Sequence, residues 1–147
     1  MALLTDHGIE RVRRQGKVQG LEDAVNEAGV KGNLGIAHTR WATHGVPSER
    51  NAHPHMSGNG IALVHNGIIE NFQELRAELE ADGYEFLSET DTEVIVHLVH
   101  RALRGNNDLY GAVRAAAEKM HGAFALGVIS NNEPNKLVAM RCGSPLV

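Results

Sequence analysis

The stretch Ala123-Phe124-Ala125-Leu126-Gly127-Val128-Ile129-Ser130-Asn131-Asn132-Glu133-Pro134-Asn135-Lys136-Leu137-Val138-Ala139-Met140 decides the fold. Two apolar, β-prone runs flank a spacer of turn residues, so it reads as a hairpin with strands over 123–130 and 136–140. The chain opens in the same way. Leu3-Leu4 and Ile9-Glu10-Arg11-Val12 flank Thr5-Asp6-His7-Gly8, a second hairpin. Hairpins at both ends break the strict strand–helix alternation of a doubly wound parallel sheet, so the expected class is α+β, in layers.

Between the hairpins the apolar residues recur at helical spacing. Leu21, Ala24, Val25 and Ala28 precede Gly29, a C-terminal glycine cap. Asn71 caps a second helix, with Glu74 in its first turn, Phe72, Leu75 and Leu79 on its inner face, and an end near Gly83. Thr90 and Glu93 have capping-box spacing for a third, striped by Ile95, Leu98, Val99 and Ala102 before Gly105. Asp108 caps a fourth, striped by Leu109, Ala112, Val113, Ala116 and Met120 and stopped by Gly122. Strands are expected also at 34–37, 61–64 and 84–87.

With 147 residues, 42% of them hydrophobic, one domain with one sizeable core is expected. Apolar runs such as Ile61-Ala62-Leu63-Val64 fall far short of the roughly 20 residues that cross a bilayer. The start, Met1-Ala2-Leu3-Leu4-Thr5-Asp6, has no secretory character, and a cytoplasmic location is expected. A single cysteine, Cys142, excludes an internal disulfide framework and thiolate zinc clusters. It reads as a small buried or half-buried residue. Net charge is -4 with the basic residues scattered, which gives no footprint for nucleic acid or an anionic membrane.

Three segments concentrate polar chemistry. His38-Thr39-Arg40-Trp41-Ala42-Thr43-His44-Gly45 follows an apolar strand, where ligands are commonly held. Arg40 offers a planar fork for a carboxylate, or else a structural salt bridge, while Trp41 either joins a site or fills core. In Val64-His65-Asn66-Gly67-Ile68-Ile69-Glu70-Asn71 the Asn-Gly pair reads first as a turn. The other reading is that the Asn66 amide and the Gly67 N–H are two donors for one oxygen, as an oxyanion hole requires. Ser88-Glu89-Thr90-Asp91-Thr92-Glu93 puts carboxylates at a helix N-terminus, where they are stabilised structurally. If Asp91 instead faces the same pocket as Arg40, the pair suits a ligand with both an ammonium and a carboxylate, an amino acid. His53-Pro54-His55 invites a metal, but Pro54 should hold the chain extended and send the two rings apart, and no familiar ligand spacing is present. No metal and no cofactor is expected.

Taken in order, 38–45, Asn51-Ala52-His53-Pro54-His55, 65–71 and 88–93 resemble the class II glutamine amidotransferases, and within them the glucosamine-6-phosphate synthases, which aminate fructose 6-phosphate. Gly16-Lys17-Val18 and Gly143-Ser144-Pro145-Leu146-Val147 extend the likeness over nearly the whole chain. The resemblance implies an N-terminal-nucleophile hydrolase fold, a four-layer αββα sandwich with antiparallel sheets. It implies that Arg40 holds the α-carboxylate of glutamine and Asp91 its α-ammonium. Trp41, Thr43 and His44 match the loop that closes over the substrate, and Asn66 with Gly67 matches the oxyanion hole.

One departure goes with the match. The family's nucleophile is a cysteine at the first position, on a strand upstream of everything here, whereas Met1 is followed by Ala2, which cannot attack. Cys142 is internal and has no free amine. The expectation is therefore a truncated glutaminase domain over 1–147, missing its first strand, without the sugar isomerase domain, and inactive alone. An open sheet edge left by that strand favours a homo-oligomer. Two other readings are the glutaminase of another class II amidotransferase, such as those of purine or asparagine synthesis, and a non-catalytic module that binds glutamine or glutamate.

Overall fold

The computed structural model describes residues 1–40, 46–58, 60–105 and 108–145. The first hairpin forms as its turn residues dictate. β1 (Ala2–Thr5) and β2 (Gly8–Arg11) pair antiparallel with Thr5 opposite Gly8, and the Thr5 hydroxyl donates to the Gly8 carbonyl at 2.9 Å. β3 (Leu34–Ile36) pairs with the other side of β1, giving a three-stranded sheet in the order β2-β1-β3. A four-stranded sheet follows in the order β4-β5-β6-β7, from β4 (His55–Ser57), β5 (Ile61–Ile69), β6 (Gly122–Ser130) and β7 (Leu137–Cys142). Its neighbours are all antiparallel, and β6–β7 is the expected C-terminal hairpin.

The helices are α1 (Val18–Ala28), α2 (Phe72–Ala81), α3 (Asp91–Arg104) and α4 (Leu109–Ala117). α1 ends where Gly29 takes a φ of 64°, a left-handed cap that glycine adopts without steric cost. Asp108 caps α4, accepting from the Gly111 N–H at 2.7 Å. Thr90 caps α3 by accepting from the Glu93 N–H at 3.4 Å, but only half of the expected capping box forms, because the Glu93 carboxylate turns to Ser88 and Leu87 instead. Asn71 stands at the N-terminus of α2 without capping it by its side chain. Its amide reaches across to the Lys119 carbonyl and the His121 N–H, both at 2.9 Å, and ties α2 to the turn before β6.

Three local expectations are corrected. The Asn66-Gly67 pair is not a turn: β5 runs through it from Ile61 to Ile69, matched residue by residue with β6. The 84–87 segment is not a strand. Its backbone N–H groups bond to neighbouring helices, Tyr84 to the Leu79 carbonyl at 2.9 Å and Leu87 to the Glu93 carboxylate at 2.9 Å, so no ladder remains to be made. Cys142 is exposed rather than buried, since β7 is the outer strand of its sheet. β4, only three residues long and holding a histidine and a serine, was not expected at all.

The two sheets face each other across a small apolar layer of Ala2, Ile36, Ala62 and Ile129, with Ile9, Leu34, Met56 and Val64 at its margin. The main core lies on the other face of the four-stranded sheet, where Ile61, Leu63, Ile69, Phe124, Leu126 and Val128 meet the apolar stripes of α2, α3 and α4. With α1, the connection between β2 and β3, this makes four layers. Among the described residues no helix is long and apolar enough to cross a membrane.

Leu126, fully buried in β6, touches this main core, and full burial of such a side chain contributes about 1.5–3 kcal/mol. Leu126→Ala should lower stability by about 2–5 kcal/mol through lost burial plus a cavity. Urea unfolding followed by circular dichroism checks this, with the midpoint falling and the slope unchanged.

Candidate functional site

β4 pairs with β5 over Ile61, Ala62 and Leu63, so among the described residues the rest of that edge of β5 has no strand beside it. In an extended strand successive N–H groups point to alternate edges. The Glu70 N–H bonds to the His121 carbonyl toward β6, which leaves His65, Gly67 and Ile69 facing the open edge. Two of these three are satisfied by side chains. The His65 N–H donates to His53 Nδ1 at 3.4 Å, and the Ile69 N–H donates to Asp91 Oδ2 at 3.0 Å. The Gly67 N–H lies between them, on exposed backbone.

Glycine is required there. Gly67 has a φ of +124°, and a Cβ at this position would lie 2.0 Å from the Ala123 carbonyl oxygen. A glycine inside a strand interior marks a place where backbone must be approached closely, by another chain segment or by a ligand. Asn66, also exposed, sits beside it and is held by His38, with His38 Nε2 at 2.7 Å from Asn66 Oδ1. Burial lowers the His38 pKa against the pull of that bond and of the His65 backbone, which favours the neutral ring. Nε2–H then donates to Oδ1, which fixes the amide so that its own N–H groups point away from His38.

Beneath this edge lies a buried polar cluster. His53 Nδ1 accepts a backbone N–H, so its proton is on Nε2, which donates to Thr92 Oγ1 at 3.2 Å. The Thr92 hydroxyl in turn donates to His65 Nδ1 at 3.0 Å. Asn51 joins the 46–52 loop to the start of α3: its Nδ2 donates to the Val46 carbonyl and to Glu89 Oε2, and its Oδ1 accepts from the Glu89 N–H, each at 3.1 Å. His55 Nε2 meets Thr90 Oγ1 at 3.0 Å.

The expected separation of His53 and His55 is not found. The His53–Pro54 bond is cis, so the chain turns back there, and the rings stand 5.3 Å apart in an edge-on contact. Burial, with the charges of His38, His55, His65 and Arg40 around it, pushes His53 down to about 2. Burial also takes His55 down to about 3, opposed by Glu93 and reinforced by Arg13 and Arg11. Both rings are neutral and act as hydrogen-bonding struts.

Arg40 is half-buried and lines a cavity of about 550 Å³ together with His38, His53, Arg13, Lys17 and Val18, and its Nη1 donates to the Val46 carbonyl at 3.2 Å. Asn66, Gly67 and Asp91 do not line that cavity. Asn66 touches its wall through His38, two residues before Arg40, whereas Asp91 is tied to Ile69 of β5, which does not line it. Trp41, Thr43 and His44 lie outside the described residues. His38, which orients Asn66, and His53, which accepts the His65 N–H, carry no assigned role in the sequence reading. Their signal in the sequence was the histidine crowding itself, at 38, 53, 55 and 65.

The neutral histidines make the fold sensitive to acid. Unfolded, His53 and His55 titrate at the ordinary 6.5, so below that pH the unfolded chain takes up protons that the fold refuses. Each ring then subtracts about 1.4 kcal/mol per pH unit, beginning near pH 6.5 and continuing toward pH 3. The melting temperature should fall between pH 7 and pH 5, less steeply in His53→Gln; a parent melting temperature flat over this range contradicts the assignment.

Comparison with known proteins identifies the family and the fold. The family model for the glutamine amidotransferase domain matches residues 38–143. The glutamine–fructose-6-phosphate aminotransferase (isomerizing) of Pseudomonas putida is 59% identical over 148 residues, covering 100% of this chain and 24% of that protein. The enzyme of the same name from Legionella pneumophila is 61% identical over 139 residues, covering 95% of this chain and 23% of the other. The chain thus spans about a quarter of the length of these curated relatives. Among solved structures, the glutamine phosphoribosylpyrophosphate amidotransferase of B. subtilis, complexed with ADP and GMP, superimposes with a TM-score of 0.77 at 26% identity, over 95% of this chain and 30% of that one. The layered fold is the expected antiparallel αββα sandwich of the N-terminal-nucleophile amidotransferases. The chain belongs to the glutamine amidotransferase domain family.

Proposed function

We propose that these residues are the glutamine-hydrolysing part of a protein that passes the released ammonia to fructose 6-phosphate, forming glucosamine 6-phosphate. The open edge of β5 carries this reading: an exposed asparagine amide held by a neutral histidine, next to a glycine N–H between two side-chain-satisfied neighbours. That pairing of donors suits the oxyanion formed when the side-chain amide of glutamine is attacked. The names of the relatives supply the acceptor sugar.

In this reading Arg40 grips the α-carboxylate, and Asp91, with Oδ2 committed to the Ile69 N–H, receives the α-ammonium through Oδ1. Asn66 Nδ2–H and Gly67 N–H stabilise the tetrahedral oxyanion, and His38 is a positioning residue for Asn66. Trp41, Thr43 and His44 close over the bound substrate. Attack by a thiolate breaks the C–N bond, the nitrogen leaves as ammonia after taking up a proton, and water releases glutamate from the thioester. The attacking thiol is not Cys142, which is exposed at the end of β7. The sugar isomerase domain of the whole protein and further copies of the chain are its partners.

The test is steady-state kinetics of the whole protein with glutamine as the varied substrate. Arg40→Ala should raise KM far more than it lowers kcat, whereas Asn66→Ala should lower kcat by roughly 10²- to 10³-fold with little change in KM. Equal effects on both parameters in the two variants would remove the assignments.

A further inference from the structure

A second cavity, of about 400 Å³, lies beside the outer edge of β4, and its wall includes Arg11, Arg13, Arg50, His55, Glu93 and His97. It brings together three guanidiniums from two separate segments, the end of β2 and the 46–52 loop. Arg11 spends Nη1 on the Pro54 carbonyl at 3.4 Å, and Arg13 spends Nη1 on the carbonyls of Arg50 and Ala52 at 3.0 and 3.1 Å. Among the described residues neither forms an ion pair within 4.0 Å. Carbonyl bonds orient a guanidinium without neutralising it, so both forks keep donors and full charge.

The carboxylate on this wall is already engaged. Glu93 Oε1 accepts from the Leu87 N–H at 2.9 Å, and Oε2 accepts from the Ser88 N–H and the Ser88 hydroxyl, both at 2.6 Å. Burial alone would raise the Glu93 carboxyl; the Ser88 hydroxyl and the two N–H groups, with His55 beside it, hold it below its ordinary range. Glu85, the other carboxylate of the wall, is exposed. Burial also lowers the pKa of both Arg11 and Arg13, and each still remains a cation.

His97 supplies an independent sign. Its side chain is only 8% exposed, Nδ1 meets Ser57 Oγ at 2.8 Å, and Nε2 makes no hydrogen bond of normal geometry, the Glu85 backbone exerting only a pull on the ring. With the Ser57 hydroxyl donating to Nδ1, the proton sits on Nε2, and an unmade bond of that kind costs about 1–3 kcal/mol. Nε2 is 3.9 Å from Glu93 Oε1, too far to bond it.

We propose that this cavity is a binding site for a phosphate group, held by Arg11, Arg13 and Arg50 with His97 Nε2–H as a neutral donor; it adjoins the Arg40 cavity, with which it shares Arg13, and Arg11, Arg50 and His97 belong to it alone. A phosphate fits better than a carboxylate because guanidiniums arriving from two segments can share three oxygens at different angles, whereas a carboxylate is satisfied by one fork. The cavity would hold either inorganic phosphate or the phosphate of a small ester. Neither depends on the glutamine reading.

The test is titration of the 147-residue chain with inorganic phosphate, and separately with glucose 6-phosphate, against sodium chloride at matched ionic strength. Melting temperature and the ¹H–¹⁵N signals of the arginine Nε groups are followed. Phosphate should raise the melting temperature saturably and shift the Arg11 and Arg13 signals, and Arg11→Gln should weaken binding at least tenfold. Tighter binding of glucose 6-phosphate marks an ester site, and binding of inorganic phosphate alone marks a free-ion site. Arg50 is exposed, so Arg50→Gln keeps the test open should Arg11→Gln fail to fold. A response that tracks ionic strength alone, survives both substitutions, or is lost in Arg40→Gln instead overturns the proposal.

Discussion

Among the described residues no strand bonds the edge of β5 beyond the end of β4, and side chains answer that deficit. His53 accepts the His65 N–H and Asp91 accepts the Ile69 N–H. Left unmade, each buried donor would cost about 1–3 kcal/mol, so the two acceptors must be held in place as firmly as a strand would be. That requirement explains why α3 begins where it does and why its first turn is buried although it reads Asp91-Thr92-Glu93.

The same arrangement leaves a gap. A paired strand would have covered Gly67 along with its neighbours; discrete side chains cover the residues on either side and leave it accessible. The φ of Gly67 and its closeness to Ala123 allow no side chain there, so neither evolution of a bulkier residue nor local rearrangement can fill the gap cheaply. The site thus sits on a regular strand locked to β6 rather than on a loop, which favours precise geometry in its donors.

Two carboxylates on one helical turn do different work because their surroundings differ. Asp91 gives one oxygen to β5 and sits beside His65, at 3.9 Å. Glu93, two residues on, takes three donors from the 87–88 backbone and the Ser88 hydroxyl, and so makes no direct ion pair with the nearby arginines, although its charge still acts on them. Histidines that look like metal ligands in sequence are neutral spacers here, their tautomers set by which backbone or hydroxyl group they meet.

Much of this was legible in the residues alone. Apolar spacing marked all four helices, and turn chemistry marked both hairpins, because these signals are local. The Arg40, Asn66-Gly67 and Asp91 segments stood out for the same reason. Asn66-Gly67 misled as a turn, since the residues that keep it extended lie on β6, far along the chain. The 84–87 run misled as a strand because its hydrogen-bond partners are on α2 and α3, and β4 escaped notice because a three-residue edge strand needs no apolar pattern of its own. The sequence by itself determined the helices, both hairpins and which residue types carry chemistry, because helix periodicity, capping and turn preference act over a few neighbouring residues. Only the tertiary structure decided that the edge of β5 stays open, that His38 orients Asn66, and that arginines from two segments share one cavity. Each of these is a contact between distant parts of the chain, and no local preference encodes it.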